Sequence, residues 1–149
     1  MPESANLMGG IANKKSKPEA IEPDPLILIA ARAASEKKGI EIVVLDLRKV
    51  ASFTDYFLIC TGANSRQVQA IAESIEEQLR KAGRRPLHSE GYSTGEWILL
   101  DYGDFVVHVF SHTARRFYDL ERLWRDAEKV TLPDDLSGAP DKPAAGGRK

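Results

Sequence analysis

Apolar positions along the chain alternate between two periods, and each change of period marks an element. Positions 26, 29, 30 and 33 recur at helical steps and predict a helix that opens at Asp24-Pro25. Aspartate accepts from the first free amides, and proline is tolerated at the first helical position. Lys37-Lys38-Gly39 ends that helix with cations near the carbonyl end and then a glycine. Glu41 to Leu47 (EIVVLDL) and Tyr56 to Thr61 (YFLICT) read as strands, the second buried on both faces. Arg48 to Asp55 joins them as a connection or short hairpin.

Asn64, with Gln67 three residues on, resembles a capping box at the start of a second helix. Val68, Ile71, Ala72, Ile75 and Leu79 give that helix one core face, and Gly83 ends it. Pro86 to Ser89 offers a short extra strand. Trp97 to Asp101 and Phe105 to Phe110 read as a hairpin about a Tyr102-Gly103-Asp104 turn. A last helix starts near Ser111 or Thr113, with Phe117, Leu120, Trp124 and Ala127 toward the core. The order α-β-β-α-β-β-α predicts an α/β (α+β) fold, a mixed β-sheet of about four to five strands flanked by helices.

Composition sets the boundaries. Residues 1–23 and 131–149 hold too few large apolar side chains to offset the entropy of ordering, so both ends read as flexible tails. The domain is then 24–130. The chain carries 21 basic and 22 acidic residues, and each tail holds three of each sign. A protein that held nucleic acid through phosphates would be clearly basic, so the balance favours a protein partner. The single cysteine, Cys60, sits in an apolar run and excludes an internal disulfide. The sequence shows no secretory cleavage pattern and no apolar run near the ~20 residues of a membrane span, which predicts a cytoplasmic protein.

Candidate chemistry is sparse. Thr61 to Arg66 (TGANSR), between strand and helix, is a weak anion signal; a capping turn with Arg66 exposed or paired to Asp55 explains it as well. Asp101 and Asp104 are carboxylates flanking a turn, where aspartate is common for backbone reasons. His88, His108 and His112 lack the spacing of a zinc site. The residues therefore suggest neither metal nor cofactor. Gly95 to Trp124 instead concentrates Trp97, Asp101, Tyr102, Asp104, His108, Arg115, Arg116 and Tyr118, and Trp, Tyr and Arg are the side chains most enriched at binding hot spots. Along the first hairpin strand Trp97, Leu99 and Asp101 alternate with Ile98, Leu100 and Tyr102, so one face packs and the other can stay open.

Ser52 to Ala72 (SFTDYFLICTGANSRQVQAIA), with EWILLDYGDFVVHVF and RRFYDLERLW, resembles the Iojap-like ribosomal silencing factor family over about Leu26 to Arg125. The resemblance implies a non-enzymatic translational repressor. It would bind the large ribosomal subunit through large-subunit ribosomal protein fourteen of the L-series and block joining of the small subunit when nutrients are scarce. It implies a docking surface with Trp97 at the strand head. The D-x-G-D turn would be Asp101, Gly103 and Asp104, with Tyr102 at the variable position. The R-R-x-Y segment would be Arg115, Arg116 and Tyr118, and His108 lies in the same unit. The implied fold is similar to a reduced nucleotidyltransferase, which makes an enzyme the alternative, with Asp46 and Asp101 as candidate metal carboxylates. An RNA-binding module using Arg66, Arg80, Lys81, Arg84 and Arg85 is a second rival, although Glu73, Glu76 and Glu77 interleave with those charges. A homodimer of the free chain stays open.

Overall fold

The computed structural model describes residues 25–136. The expected Asp24 cap, the N-terminal tail and the end of the C-terminal tail lie outside the described residues. Helix α1 runs Pro25–Glu36. Its buried face is Ile27, Ala30, Ala31, Ala33 and Ala34, while Leu26 and Ile29 are only half-buried. Ala30 and Ala33 thus bury as expected, and Leu26 and Ile29 pack at the edge of the same core. The alanines are small enough to let α1 pack closely on its neighbours.

Strands β1 (Ile40–Asp46) and β2 (Tyr56–Gly62) pair antiparallel, with a bulge between Ile40 and Val43 where Glu41 takes a left-handed backbone. Helix α2 (Ser65–Lys81) follows. Asn64 accepts from the Gln67 amide as expected, but the Gln67 side chain accepts from Ala63 rather than from Asn64. Val68, Ile71, Ala72, Ile75 and Leu79 all bury, as their spacing requires.

Strands β3 (His88–Glu90), β4 (Trp97–Asp101) and β5 (Phe105–Ser111) then form an antiparallel meander, and β5 returns to lie parallel to β2. A two-residue β6 (Glu128–Lys129) pairs with β1. The sheet order is β3-β4-β5-β2-β1-β6, six strands rather than four or five. The added strand is too short to carry any period of its own. β2 and β5 lie at the centre with both faces covered, which is why β2 reads as a continuous apolar run.

The two faces of the sheet are covered unequally. On one, α1 and α2 close over Val44, Leu58, Cys60, Val107 and Val109. This core continues past the expected boundary at Val130, because Leu132 and Leu136 bury in it and Asp135 pairs with Arg32. On the other, Leu45, Leu47, Phe57, Ile59, Val106 and Phe110 are buried too, under a thinner cover to which Ala51, Leu120, Trp124 and Ala127 contribute. Ser111 caps α3 (His112–Tyr118), and Asp119, in the left-handed region at φ 49°, breaks it from α4 (Leu120–Leu123). The expected single helix is therefore two short ones. The break leaves Phe117 in solvent at 78 % exposure rather than in the core. Leu120, Trp124 and Ala127 do pack on the second face.

Candidate docking surface

Strand parity sends Trp97 and Leu99 of β4 to the thinly covered face. There the half-buried Trp97 ring lies against Phe110 (5.1 Å between centroids) and Tyr118 (4.5 Å). Gly91 lets the preceding loop pass beneath it: φ is +95°, and a Cβ there would stand 1.9 Å from the Trp97 carbonyl oxygen. Ring contacts extend outward from this pair. Phe117 meets Tyr118 edge-on at 4.9 Å. On the other side Trp97 touches His108, His108 meets Phe57 at 4.5 Å, Phe57 meets Trp124, and Trp124 meets Phe53. A continuous aromatic ladder thus crosses this face. Its ends stay in water: Tyr118 is 46 % exposed, Phe117 78 % and Phe53 60 %, with Leu123 beside them on α4 also exposed. The middle of the ladder, Phe57, His108 and Phe110, is buried, so its exposed apolar surface lies at the two ends.

The structure distributes the sequence candidates unevenly. Trp97 and Tyr118 meet as expected, and Arg116 is exposed next to them. Asp101, Gly103 and Asp104 lie at the far end of the hairpin. Trp97 pairs with Phe110 and Asp101 with Val106, four residues along, which is about 13 Å of strand. That end is an ordered turn. Asp101 Oδ1 accepts from the Gly103 amide at 2.8 Å, Thr54 donates to the Gly103 carbonyl, and Asp104 pairs with Arg84 at 3.0 Å.

Three candidates do not reach the surface. Tyr102 has the opposite parity and is 2 % exposed, stacked on Phe105 in the α2-side core. Burial raises its phenol pKa. His108 is buried in mid-strand between Phe57 and Phe110. Arg115, 9 % exposed, points inward from α3: Nη1 donates to Thr61 Oγ1 at 2.8 Å and Nε to Glu121 Oε1 at 3.0 Å. It ties α3 and α4 to β2. The sequence reading missed Phe53 and Leu123 as surface members, whereas Trp124 packs on the second face as expected. Phe53 lies in a connection with no period, and Leu123 in a helix taken as continuous.

Several charged side chains among the described residues sit in local pairs. Burial raises Asp46, but hydrogen bonds from the Arg48 side chain and amide and the charges of Arg48 and Lys49 outweigh it, leaving the carboxyl below its usual range. Asp46 is held by Arg48 at 2.8 Å, on a strand three places from β4, hence about 14 Å from Asp101. No set of three or more His, Cys, Asp or Glu among the described residues is placed to hold a metal ion. Burial pushes the Cys60 thiol up to about 12, so it stays protonated and inert. Arg80 and Lys81 pair with Glu77, and Arg84 with Asp104, so those cations face carboxylates rather than forming one phosphate track. No helix among the described residues is long and apolar enough to cross a membrane.

Burial also pushes the His108 imidazole down to about 3 from 6.5. Between those values the unfolded chain binds a proton that the folded chain does not. Stability should therefore fall as pH drops from 6.5 toward 3, with a slope approaching about 1.4 kcal/mol per pH unit. Asp46 adds a loss of the same sign only below its unfolded value of 3.8. Urea unfolding between about pH 6.5 and pH 4.5 checks this, and His108→Phe should flatten the slope. An equally steep slope in that variant would assign the effect elsewhere.

The fold and this face together define an α+β domain with a mixed six-stranded sheet, whose second face carries an aromatic ladder with exposed ends. The family model described as "Ribosomal silencing factor during starvation" matches residues 18–148, and the chain belongs to that family. The ribosomal silencing factor RsfS of Bacillus subtilis is 43 % identical over 107 residues, covering 72 % of this chain and 91 % of its own. The chloroplastic Iojap protein of Zea mays is 37 % identical over 109 residues, 70 % of this chain and 46 % of that one. A crystal structure from Chromobacterium violaceum superposes with a TM-score of 0.67 at 37 % identity, over 76 % of this chain and 92 % of the other.

Proposed function

We propose that this chain is a non-enzymatic translational repressor that docks on the large ribosomal subunit and excludes the small one. The supporting observation is the aromatic ladder on the second sheet face, exposed at Tyr118, Phe117 and Phe53, in a chain whose relatives are named ribosomal silencing factors. Large-subunit ribosomal protein fourteen of the L-series is the partner the family resemblance implies, and the cytoplasm the location. A body of about 110 residues has a radius of gyration of ~13 Å and so a diameter of ~34 Å. Seated on an intersubunit surface, it leaves no room for a close-fitting partner. Exclusion of that kind needs affinity and position, not a reaction.

The test is co-sedimentation with separated subunits. The protein should travel with large subunits and not small ones. Adding it before the small subunit should lower the yield of joined ribosomes, and adding it afterwards should have little effect, because joined ribosomes cover the site. Equal binding to both subunits would refute the reading. Nucleotide transfer that disappears with Asp46→Asn or Asp101→Asn would replace it with the enzymatic one.

A further inference from the structure

His108 is the buried polar group that the docking face leaves unexplained. It sits on β5 opposite Leu99, diagonal to Trp97, with its Nδ1 3.1 Å from the Trp97 indole nitrogen. An indole N–H only donates, so Nδ1 is the bare acceptor and the proton is on Nε2. Nε2 is buried with no hydrogen-bond partner among the described residues. A phenylalanine or leucine would fill the same space between Phe57 and Phe110 without burying an unsatisfied N–H. The histidine therefore costs stability, and what it supplies in return is one hydrogen bond to Trp97.

We propose that His108 is a positioning residue for the docking surface, its Nδ1 holding the Trp97 indole in one of the two flips that the ring could adopt. Indole χ2 is broad and roughly two-fold, so packing on Phe110 and Tyr118 alone leaves both flips open. Only one flip aims Nε1 at His108, and that flip fixes which edge of Trp97 faces an incoming partner. The inference rests on the docking role proposed above. It adds that the indole N–H is spent inside the protein, so a partner meets the ring and not its donor.

Two substitutions separate acceptor from volume. His108→Phe keeps an aromatic ring, somewhat larger than imidazole, and removes the acceptor. His108→Asn loses volume but keeps an oxygen near the Nδ1 position. His108→Phe should lower large-subunit affinity about tenfold, the equivalent of one neutral hydrogen bond. His108→Asn should stay within about threefold of the parent. In a Trp97→Phe background, His108→Phe should cost almost nothing more. A ribosome-free readout accompanies these: the Trp97 indole proton should exchange slowly with water in the parent and fast in His108→Phe.

Unchanged affinity in His108→Phe, a larger loss in His108→Asn than in His108→Phe, or an equal loss in the Trp97→Phe background would overturn the proposal. Free-rate exchange of the parent indole proton would also overturn it, and that measurement stands even if His108→Phe does not fold. Failure of the parent protein to bind large subunits would instead refute the docking role itself.

Discussion

Trp97→Ala should weaken binding to the large subunit thirtyfold or more, and Tyr118→Ala should do nearly as much. The two rings touch at 4.5 Å, and Tyr118 presents almost half its surface to solvent. They are rigid, large and apolar, the features of a central anchor, whose truncation commonly costs ~2 kcal/mol or more. Trp97 also covers Phe110, so its removal will lower stability as well as affinity. Thermal unfolding separates the two effects: the variant should still melt cooperatively well above the assay temperature. Tyr118→Ala, more exposed, should melt close to the parent. Phe53→Ala, at the far end of the ladder, tests how far the contact extends. Lys37→Ala and Glu76→Ala, on elements away from this face, should bind as the parent does. A folded Trp97→Ala protein with unchanged affinity would remove the ladder from the interface.

Arg115→Met should cost about 2–3 kcal/mol of folding stability and weaken docking with it, whereas Arg116→Ala should leave stability within about 0.5 kcal/mol of the parent. The residues are adjacent, but their environments are opposite. Arg115 bridges the buried Thr61 hydroxyl of β2 and the Glu121 carboxylate of α4. Methionine fills some of the space but leaves a buried hydroxyl short of its donor and a partly buried carboxylate unpaired. It also frees the short helices that carry Tyr118 and lead into Trp124. Lysine should not rescue the loss, since one ammonium lacks the fork that spans both acceptors. Arg116 is exposed, so its loss should mainly slow association and change its salt dependence. Stopped-flow association at two salt concentrations and denaturant unfolding distinguish the pair. Equal stability of the two variants would contradict the clamp.

These outcomes follow from side-chain environments that sequence periodicity reaches only in part. Every apolar position assigned to the core face of α2 is buried there, because seventeen helical residues fix a face by spacing alone. β2 was legible for a related reason: a central strand covered on both sides is apolar nearly throughout, whereas β5, read as half of a hairpin with one open face, proved central and buried as well. Alternation along β4 also told which face Trp97 would share with Leu99, and that Tyr102 lay on the other. Tyr102 stood among the docking candidates only through its place in the turn motif, and parity removes it.

Tertiary structure decided the rest. Whether Arg115 or Arg116 turns inward depends on where Thr61 and Glu121 arrive, and those are 54 and 6 residues away. The break at Asp119 needs a left-handed backbone that no glycine announces, and it alone moves Phe117 into water. Phe53 joins the ladder only because the sheet brings its connection beside Trp124. The chain's local pattern determined which residues form helices and strands, since that depends on neighbours three or four places away. Which sheet face receives the thinner cover, and which side chains meet across it, depends on contacts between residues tens of positions apart, and no local period records those.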